Sequence, residues 1–361
     1  MSLKNNKFLR RMAVAVMTGA MMVSMLGMTA FAETSAITSV DLVKKVTTDG
    51  DTYAPNTSFT FTVAKADKGD YDGNVVYEGI EGGLVMGKST LEFAPSGDAP
   101  AAEYSETGKI AVNASVFTAP GVYHYTVTET AGSYEGIVYD TTVRDVYVYV
   151  VNGTSGLEVK HVIVTKDVAD ETTGETKKVK QSGLEFINDY GADENNDSTH
   201  DVIITKVVAG DQGDKNKDFS FEVSVAGGSG EWYKVVKTEK SGTTTEGIIV
   251  SGANATKYTL KDGESIRIYG LSESDTYTVT EEKYEADGYE TTVKIGEDDA
   301  VTTNTATGKL TADATAVTVT NTKNAVTPTG IILNIAPYIL MVAVAGVLAF
   351  LFLRKRNVRE F

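Results

Sequence analysis

Tyr125-Thr126-Val127-Thr128-Glu129 recurs, residue for residue, as Tyr277-Thr278-Val279-Thr280-Glu281. In each copy the side chains alternate with the period of two expected of a half-buried strand. Tyr, Val and Glu share one face and the two threonines take the other, so a carboxylate lies on the face that the ring and the valine turn inward. A second strand repeats alongside it: Phe59-Thr60-Phe61-Thr62-Val63 returns as Phe219-Ser220-Phe221-Glu222-Val223. Between these landmarks, short runs rich in Val, Thr and Tyr are separated by Gly-Asp-Asn clusters, the pattern of strands and turns. Val146-Tyr147-Val148-Tyr149-Val150 is apolar or aromatic on both faces and reads as a central strand. No helical period appears between the two ends of the chain. The fold expected is all-β: two tandem β-sandwich domains, 33–190 and 201–323, joined by a polar linker over 191–200. Asp193, Asn195 and Asp197 in that linker have the alternate spacing of a calcium loop but lack its glycine and closing glutamate. A solvated linker is expected there, with no metal or cofactor site.

The same period aims other polar residues inward. Lys44 shares a face with Val40, Leu42 and Val46, and Lys206 with Val202, Ile204 and Val208. Asn188 aligns with Leu184 and Phe186, and Asn321 with Val317 and Val319. Each domain thus directs one Lys, one Glu and one Asn at its core. Burying a Lys or Glu is costly unless it is paired or neutral. Two readings follow from the residues. One is a buried Lys–Glu ion pair hydrogen-bonded to Asn. The other is covalent: a desolvated lysine becomes a neutral nucleophile, a desolvated glutamic acid polarises the Asn carboxamide, and attack expels ammonia to leave a Lys–Asn isopeptide.

Composition narrows the function. The chain has 361 residues, a formal charge of −16 and no cysteine. Disulfides, thiol catalysis and zinc–thiolate sites are excluded. The negative surface repels nucleic acid and anionic lipid. His124, His161 and His200 are isolated in sequence, and neither a nucleophile–base spacing nor a phosphate-cradling glycine loop accompanies them. A turnover enzyme is not expected.

Both ends carry addresses. Lys4, Lys7, Arg10 and Arg11 precede an apolar run from Met12 to Met28 and the small-x-small site Ala30-Phe31-Ala32. This is the pattern of a secretory signal peptide over 1–32, cut between Ala32 and Glu33. At the other end no charge interrupts Ile331 to Leu353, and Arg354, Lys355, Arg356 and Arg359 follow. About 20 apolar residues suffice for a membrane-spanning helix, and the basic tail holds that end in the cytoplasm. The apolar run alone reads as a plain membrane anchor. Val326-Thr327-Pro328-Thr329-Gly330 directly before it resembles the pentapeptide that sortases cleave between Thr and Gly. Val326 stands for the usual Leu and Thr327 for the usual Pro. Residues 324–361 are therefore expected to form a sorting signal, a transmembrane helix and a basic tail.

The two domains together resemble the two-domain backbone pilins of Gram-positive bacteria, of the streptococcal type. The resemblance rests on Pro55-Asn56-Thr57-Ser58-Phe59-Thr60-Phe61, Pro120-Gly121-Val122-Tyr123, Val127-Thr128-Glu129 and Tyr139-Asp140-Thr141-Thr142 in the first domain. In the second it rests on Lys217-Asp218-Phe219, Lys261-Asp262-Gly263-Glu264-Ser265 and Val279-Thr280-Glu281. One departure is Ala131-Gly132-Ser133 after Glu129, where many pilins have Ala-Pro. The resemblance implies Ig-like, collagen-adhesin B-like sandwiches with autocatalytic isopeptides: Lys44 to Asn188 assisted by Glu129, and Lys206 to Asn321 assisted by Glu281. It further implies that sortase holds Thr329 of one subunit as a thioester, which a lysine of the next subunit resolves. The Tyr-Pro-Lys motif of some pilins is absent. Lys180 is the nearest match to the family's linking position, with Lys177 and Lys178 as rivals. The protein expected is a pilus shaft subunit whose partners are sortase, other copies of itself, tip and basal pilins, and peptidoglycan. The alternative is a monomeric wall-anchored adhesin built from the same domains.

Overall fold

The computed structural model describes residues 36–169, 174–190, 200–310, 314–325 and 338–348. The signal peptide with its cleavage site, the calcium-loop spacing at 193–197 and the pentapeptide 326–330 lie outside these residues. Residues 338–348 are helical, and the rest of the apolar run 331–353 lies outside. Among the described residues no helix is long and apolar enough to cross a membrane.

Alternating sequence becomes strand throughout. The first half contains β1 (Ser39–Thr47), β2 (Thr57–Lys65), β3 (Gly69–Tyr71), β4 (Asn74–Glu78), β5 (Leu84–Met86), β6 (Thr90–Phe93) and β7 (Glu103–Val112). It continues with β8 (Gly121–Thr130), β9 (Ile137–Val138), β10 (Arg144–Asn152), β11 (Leu157–Ala169), β12 (Thr176–Lys180) and β13 (Leu184–Tyr190). These form a five-stranded sheet, β5-β7-β1-β13-β9, facing an eight-stranded sheet that runs β12-β11-β10-β8-β2-β6 and also holds β3 and β4.

The second half contains β14 (His200–Ala209), β15 (Phe219–Ala226), β16 (Trp232–Thr238), β17 (Thr244–Val250), β18 (Thr256–Leu260) and β19 (Ser265–Leu271). Then come β20 (Thr276–Glu281), β21 (Glu290–Ile295), β22 (Val301–Thr302), β23 (Thr305–Lys309) and β24 (Ala314–Thr322). Its sheets run β17-β16-β19-β14-β24-β21-β22 and β18-β15-β20-β23. His200, read from sequence as the last linker residue, instead opens β14 and is buried. It continues the inward row of Val202, Ile204 and Val208, so the strand period reaches one residue further back than the polar composition suggests.

Each half shares an unusual pairing. Its first strand lies beside its last, and the two run parallel: β1 with β13, and β14 with β24. Parallel neighbours cannot be joined by a short hairpin, and here nearly the whole domain serves as the crossover. The inward rows of the facing sheets fill each core. Phe59, Phe61, Tyr125, Val127, Leu184 and Phe186 pack in the first half. Phe219, Phe221, Tyr277, Val279, Val317 and Val319 pack in the second. β10 lies between β11 and β8 and is buried on both faces because the β3–β4 hairpin covers its outer side. There Tyr71 stacks on Tyr147 with ring centroids 4.2 Å apart.

The halves meet through directed polar contacts. The Tyr134 hydroxyl donates to Glu231 Oε1 at 2.6 Å, and Asn56 Nδ2 donates to the Ser229 carbonyl at 2.7 Å. Lys234 reaches Asp51 at 3.0 Å, and Tyr53 packs edge-on against Trp232.

Candidate functional site: two buried lysine–glutamate–asparagine triads

Strand period delivers the six polar side chains to the two cores. In β1, Leu42, Lys44 and Val46 are buried while their neighbours are half-exposed. In β14 the alternation is unbroken, with Lys206 between Ile204 and Val208. Glu129 and Glu281 end the inward rows of β8 and β20, and Asn188 and Asn321 lie on the inward rows of β13 and β24. Lys44, Lys206, Glu281, Asn188 and Asn321 have no exposed surface, and Glu129 has almost none. In each half the lysine and asparagine come from the paired first and last strands, and the glutamate comes from the opposite sheet.

In the first triad Glu129 bridges its two partners. Lys44 Nζ donates to Glu129 Oε2 at 2.8 Å, and Asn188 Nδ2 donates to Glu129 Oε1 at 2.5 Å. The backbone N–H of Asp140 donates to Asn188 Oδ1 at 2.7 Å. A backbone N–H can only donate, so this contact fixes the carboxamide's orientation. The sequence reading had the acid polarise the carboxamide without saying at which atom. In the structure Glu129 faces the amide nitrogen, and a backbone N–H lies at the carbonyl oxygen. The Asp140 turn is held by Arg144, whose Nη2 meets Asp140 Oδ2 at 2.5 Å and whose Nε donates to the Glu185 carbonyl. Arg144 lowers the Asp140 carboxyl below its ordinary range, against the upward push of burial.

The second triad is looser. Lys206 Nζ lies 3.1 Å from Glu281 Oε1 and donates to the Val319 carbonyl at 3.3 Å. Thr291 Oγ1 donates to Glu281 Oε2 at 3.4 Å. The Asn321 amide lies beside Glu281, but among the described residues no donor meets its carbonyl oxygen.

Burial sets the protonation. Desolvation brings Lys44 and Lys206 down to about 8, against the opposing pull of their glutamates. Desolvation likewise raises Glu129 and Glu281, against their lysines and the asparagine amides. Both shifts favour a neutral amine beside a neutral acid. Each ammonium also lies over an aromatic ring, Lys44 4.6 Å from the Phe59 centroid and Lys206 4.4 Å from that of Phe219. The repeated Phe strands were legible in sequence, but their role as floors to the triads was not. The Asp140 N–H was also missed, since a backbone donor carries no side-chain signal.

The three candidate linking lysines lie on β12, the edge of the eight-stranded sheet, where every residue is exposed. Lys178 Nζ contacts Asp145 Oδ2 at 2.5 Å and Asp167 Oδ1 at 3.2 Å. Lys177 points to the other face and has an interaction of its own. Lys180 shares the Lys178 face and stands opposite Thr165. His124, isolated in sequence, is hydrogen-bonded to Asp145 at 2.7 Å. Among the described residues no cluster of three or more His, Asp or Glu is placed to hold a metal.

Comparison with known proteins agrees with this arrangement. Residues 40–191 match the Spy0128-like isopeptide containing domain, and residues 200–323 match DUF7601, a domain of unknown function. A pilin of Streptococcus pyogenes serotype M1 is 30% identical over 364 residues, covering 95% of this chain and 98% of the relative. The crystal structure of the major pilin from Streptococcus pyogenes superposes with a TM-score of 0.57 at 24% identity, covering 80% of this chain and 99% of that one. The major pilin protein (T-13) from Streptococcus pyogenes serotype GAS131465 gives 0.53 at 28% identity, covering 80% and 98%. With a relative matched along nearly its whole length and all-β sandwiches to match, this chain belongs to the pilins.

Proposed function

We propose that this pilin is a shaft subunit of a covalent pilus: an N-terminal sandwich over 33–190, a linker over 191–199 and a C-terminal sandwich over 200–323. Each sandwich is closed by one Lys–Asn isopeptide. The observation that carries the reading is the duplicated buried triad, set on the strands that begin and end each half.

The chemistry follows from the contacts. Within the Lys44–Glu129 pair a proton passes to the carboxylate, leaving a neutral amine and a neutral acid, the forms that burial favours. Nζ attacks Cγ of Asn188, and the charge that develops on Oδ1 falls on the Asp140 N–H. Glu129 touches both nitrogens, so it takes a proton from Nζ and returns one to Nδ2. The Cγ–Nδ2 bond breaks, ammonia leaves and the Nζ–Cγ amide remains. Fixed geometry in a dry core supplies the effective concentration. Each bond forms once, so the protein does not turn over. Lys206, Glu281 and Asn321 supply the same three groups in the second half, without a donor at the Asn321 oxygen among the described residues.

Polymerisation uses the chain's outer features. After signal-peptide removal, sortase cleaves between Thr329 and Gly330 and transfers Thr329 to Lys180 of the next subunit. The last subunit is passed to peptidoglycan, and tip and basal pilins complete the assembly. The tests are direct. The mature chain should weigh less than its sequence by two ammonia, and a full sequence mass overturns the isopeptide reading. Cell-wall extracts boiled in detergent should give a ladder of multimers that Lys180→Ala removes. A single band would mean monomeric anchoring.

A further inference from the structure

Lys178 and Lys180 share a strand, a face and an exposed edge, yet their surroundings differ. Asp145 lies on β10, two strands inward, and is 7% exposed. Thr165 lies between Asp145 and Lys180 in the same register row. Lys178 reaches diagonally across β11 to take Asp145 Oδ2 and also contacts Asp167, its register partner. The second oxygen of Asp145 is occupied by His124 Nε2. His124 is itself fixed, with Nδ1 3.1 Å from the Asp67 carbonyl and its ring stacked on Tyr147 at 4.7 Å. Asp145 is therefore pinned and already occupied. Among the described residues the side chain of Lys180 has no ion-pair or hydrogen-bond partner.

An amine attacks a thioester only after losing its proton. Two carboxylates hold Lys178 as an ammonium and draw its tip toward the sheet. We propose that Asp145 is a positioning residue that selects the linking lysine, by taking Lys178 out of competition and leaving Lys180 as the acyl acceptor. This rests on the reading of Lys180 as the intersubunit link. The charges agree: Lys178 is raised by its two aspartates against the cost of burial, and Asp145 is lowered by His124 and Lys178 against the same cost.

Competitive labelling of the mature protein with limiting acetic anhydride, read by tandem mass spectrometry, tests this without sortase. Lys180 should react about tenfold faster than Lys178, whose amine two carboxylates hold protonated against the sheet. Asp145→Asn should narrow the ratio to about twofold, and Asp145→Glu should keep most of it. Equal labelling in the unaltered protein overturns the proposal with no variant needed, as does a ratio unmoved by Asp145→Asn. In cells with the pilus sortase, Lys180→Ala should abolish the ladder, and Lys180→Ala with Asp145→Asn should restore part of it through Lys178. If Lys180→Ala leaves the ladder intact, the Lys180 reading fails and this inference with it. If Lys180→Ala abolishes the ladder and labelling in Asp145→Asn is unchanged, only the role of Asp145 fails.

Discussion

The Asp140 backbone N–H donates to Asn188 Oδ1 at 2.7 Å, while among the described residues no donor meets the carbonyl oxygen of Asn321, the matching residue of the second half. One donor at a developing oxyanion is worth about 10²–10³ in rate where it has been removed from an enzyme. The Lys44–Asn188 bond should therefore form well before the Lys206–Asn321 bond. A pulse of synthesis followed by timed quenching and mass spectrometry of the two cross-linked peptides measures the order. Equal rates, or the second bond first, would contradict it.

Arg144 supports that donor. It is 2% exposed and holds the Asp140 turn through its side chain. Arg144→Met should slow the first bond and leave the second untouched. It also takes the guanidinium from the part-buried Asp140 carboxylate, which should lower stability. Cross-link kinetics and urea unfolding separate the two effects.

Removing either acid should act within its own half. Glu129→Ala should leave a mass deficit of one ammonia, from the second bond alone, and Glu281→Ala the reverse. Limited proteolysis should then cut only the altered half. A full deficit of two in either variant would show that the acid is dispensable.

The pH response of an unlinked variant gives the sign of burial. In Asn188→Ala the bond cannot form and Lys44 stays buried as an amine. Its folded pKa is lowered from 10.5 to about 8, so between those values the unfolded chain binds more protons. Stability must rise with pH across that window, and the penalty is present in full below about 8. The gain should be about 3 kcal/mol between pH 7 and 11. Urea titrations of Asn188→Ala against Lys44→Met with Asn188→Ala isolate it. A flat difference would mean that Lys44 is charged without cost.

Pulling direction should matter. Lys180 lies only eight positions before Asn188. A load applied between Lys180 and the C-terminus reaches Asn188 along the backbone and never crosses the first bond. It does cross the second, from Lys206 to Asn321. Glu281→Ala should therefore extend under load from either the N-terminus or Lys180, releasing about 380 Å of chain. Glu129→Ala should release about 480 Å only when pulled from the N-terminus.

The strand period made much of this legible. Leu42, Lys44 and Val46 must share a face wherever β1 lies, so an inward lysine can be read without a fold. The partnership of Lys44 with Asn188 is harder to read, because it depends on β1 lying parallel to β13 across 144 positions of chain. The recurrence of all three residue types in the second half makes up for that. The Asp145 cluster has no such duplicate. His124, Asp145 and Lys178 come from three strands, and they meet only through the order β8-β10-β11-β12 and its registers. Strand order is set by the whole sheet and leaves no local trace.

Placing the first and last strands of a sandwich side by side has a consequence for damage. Once Lys206 and Asn321 are joined, the backbone between them is a closed side loop of the load line. The body of the first half, held at Asn188, hangs from that line. A protease that nicks an exposed turn in either sandwich cuts no connection between subunits. Only the segments from Asn188 to Lys206 and from Asn321 to Thr329 remain as single covalent continuity, because Lys180 also reaches Asn188 the other way round, through Lys44. Of these, the end of β13, the start of β14 and the end of β24 are paired within sheets. A pilus assembled this way tolerates broken peptide bonds along most of its length and still transmits force.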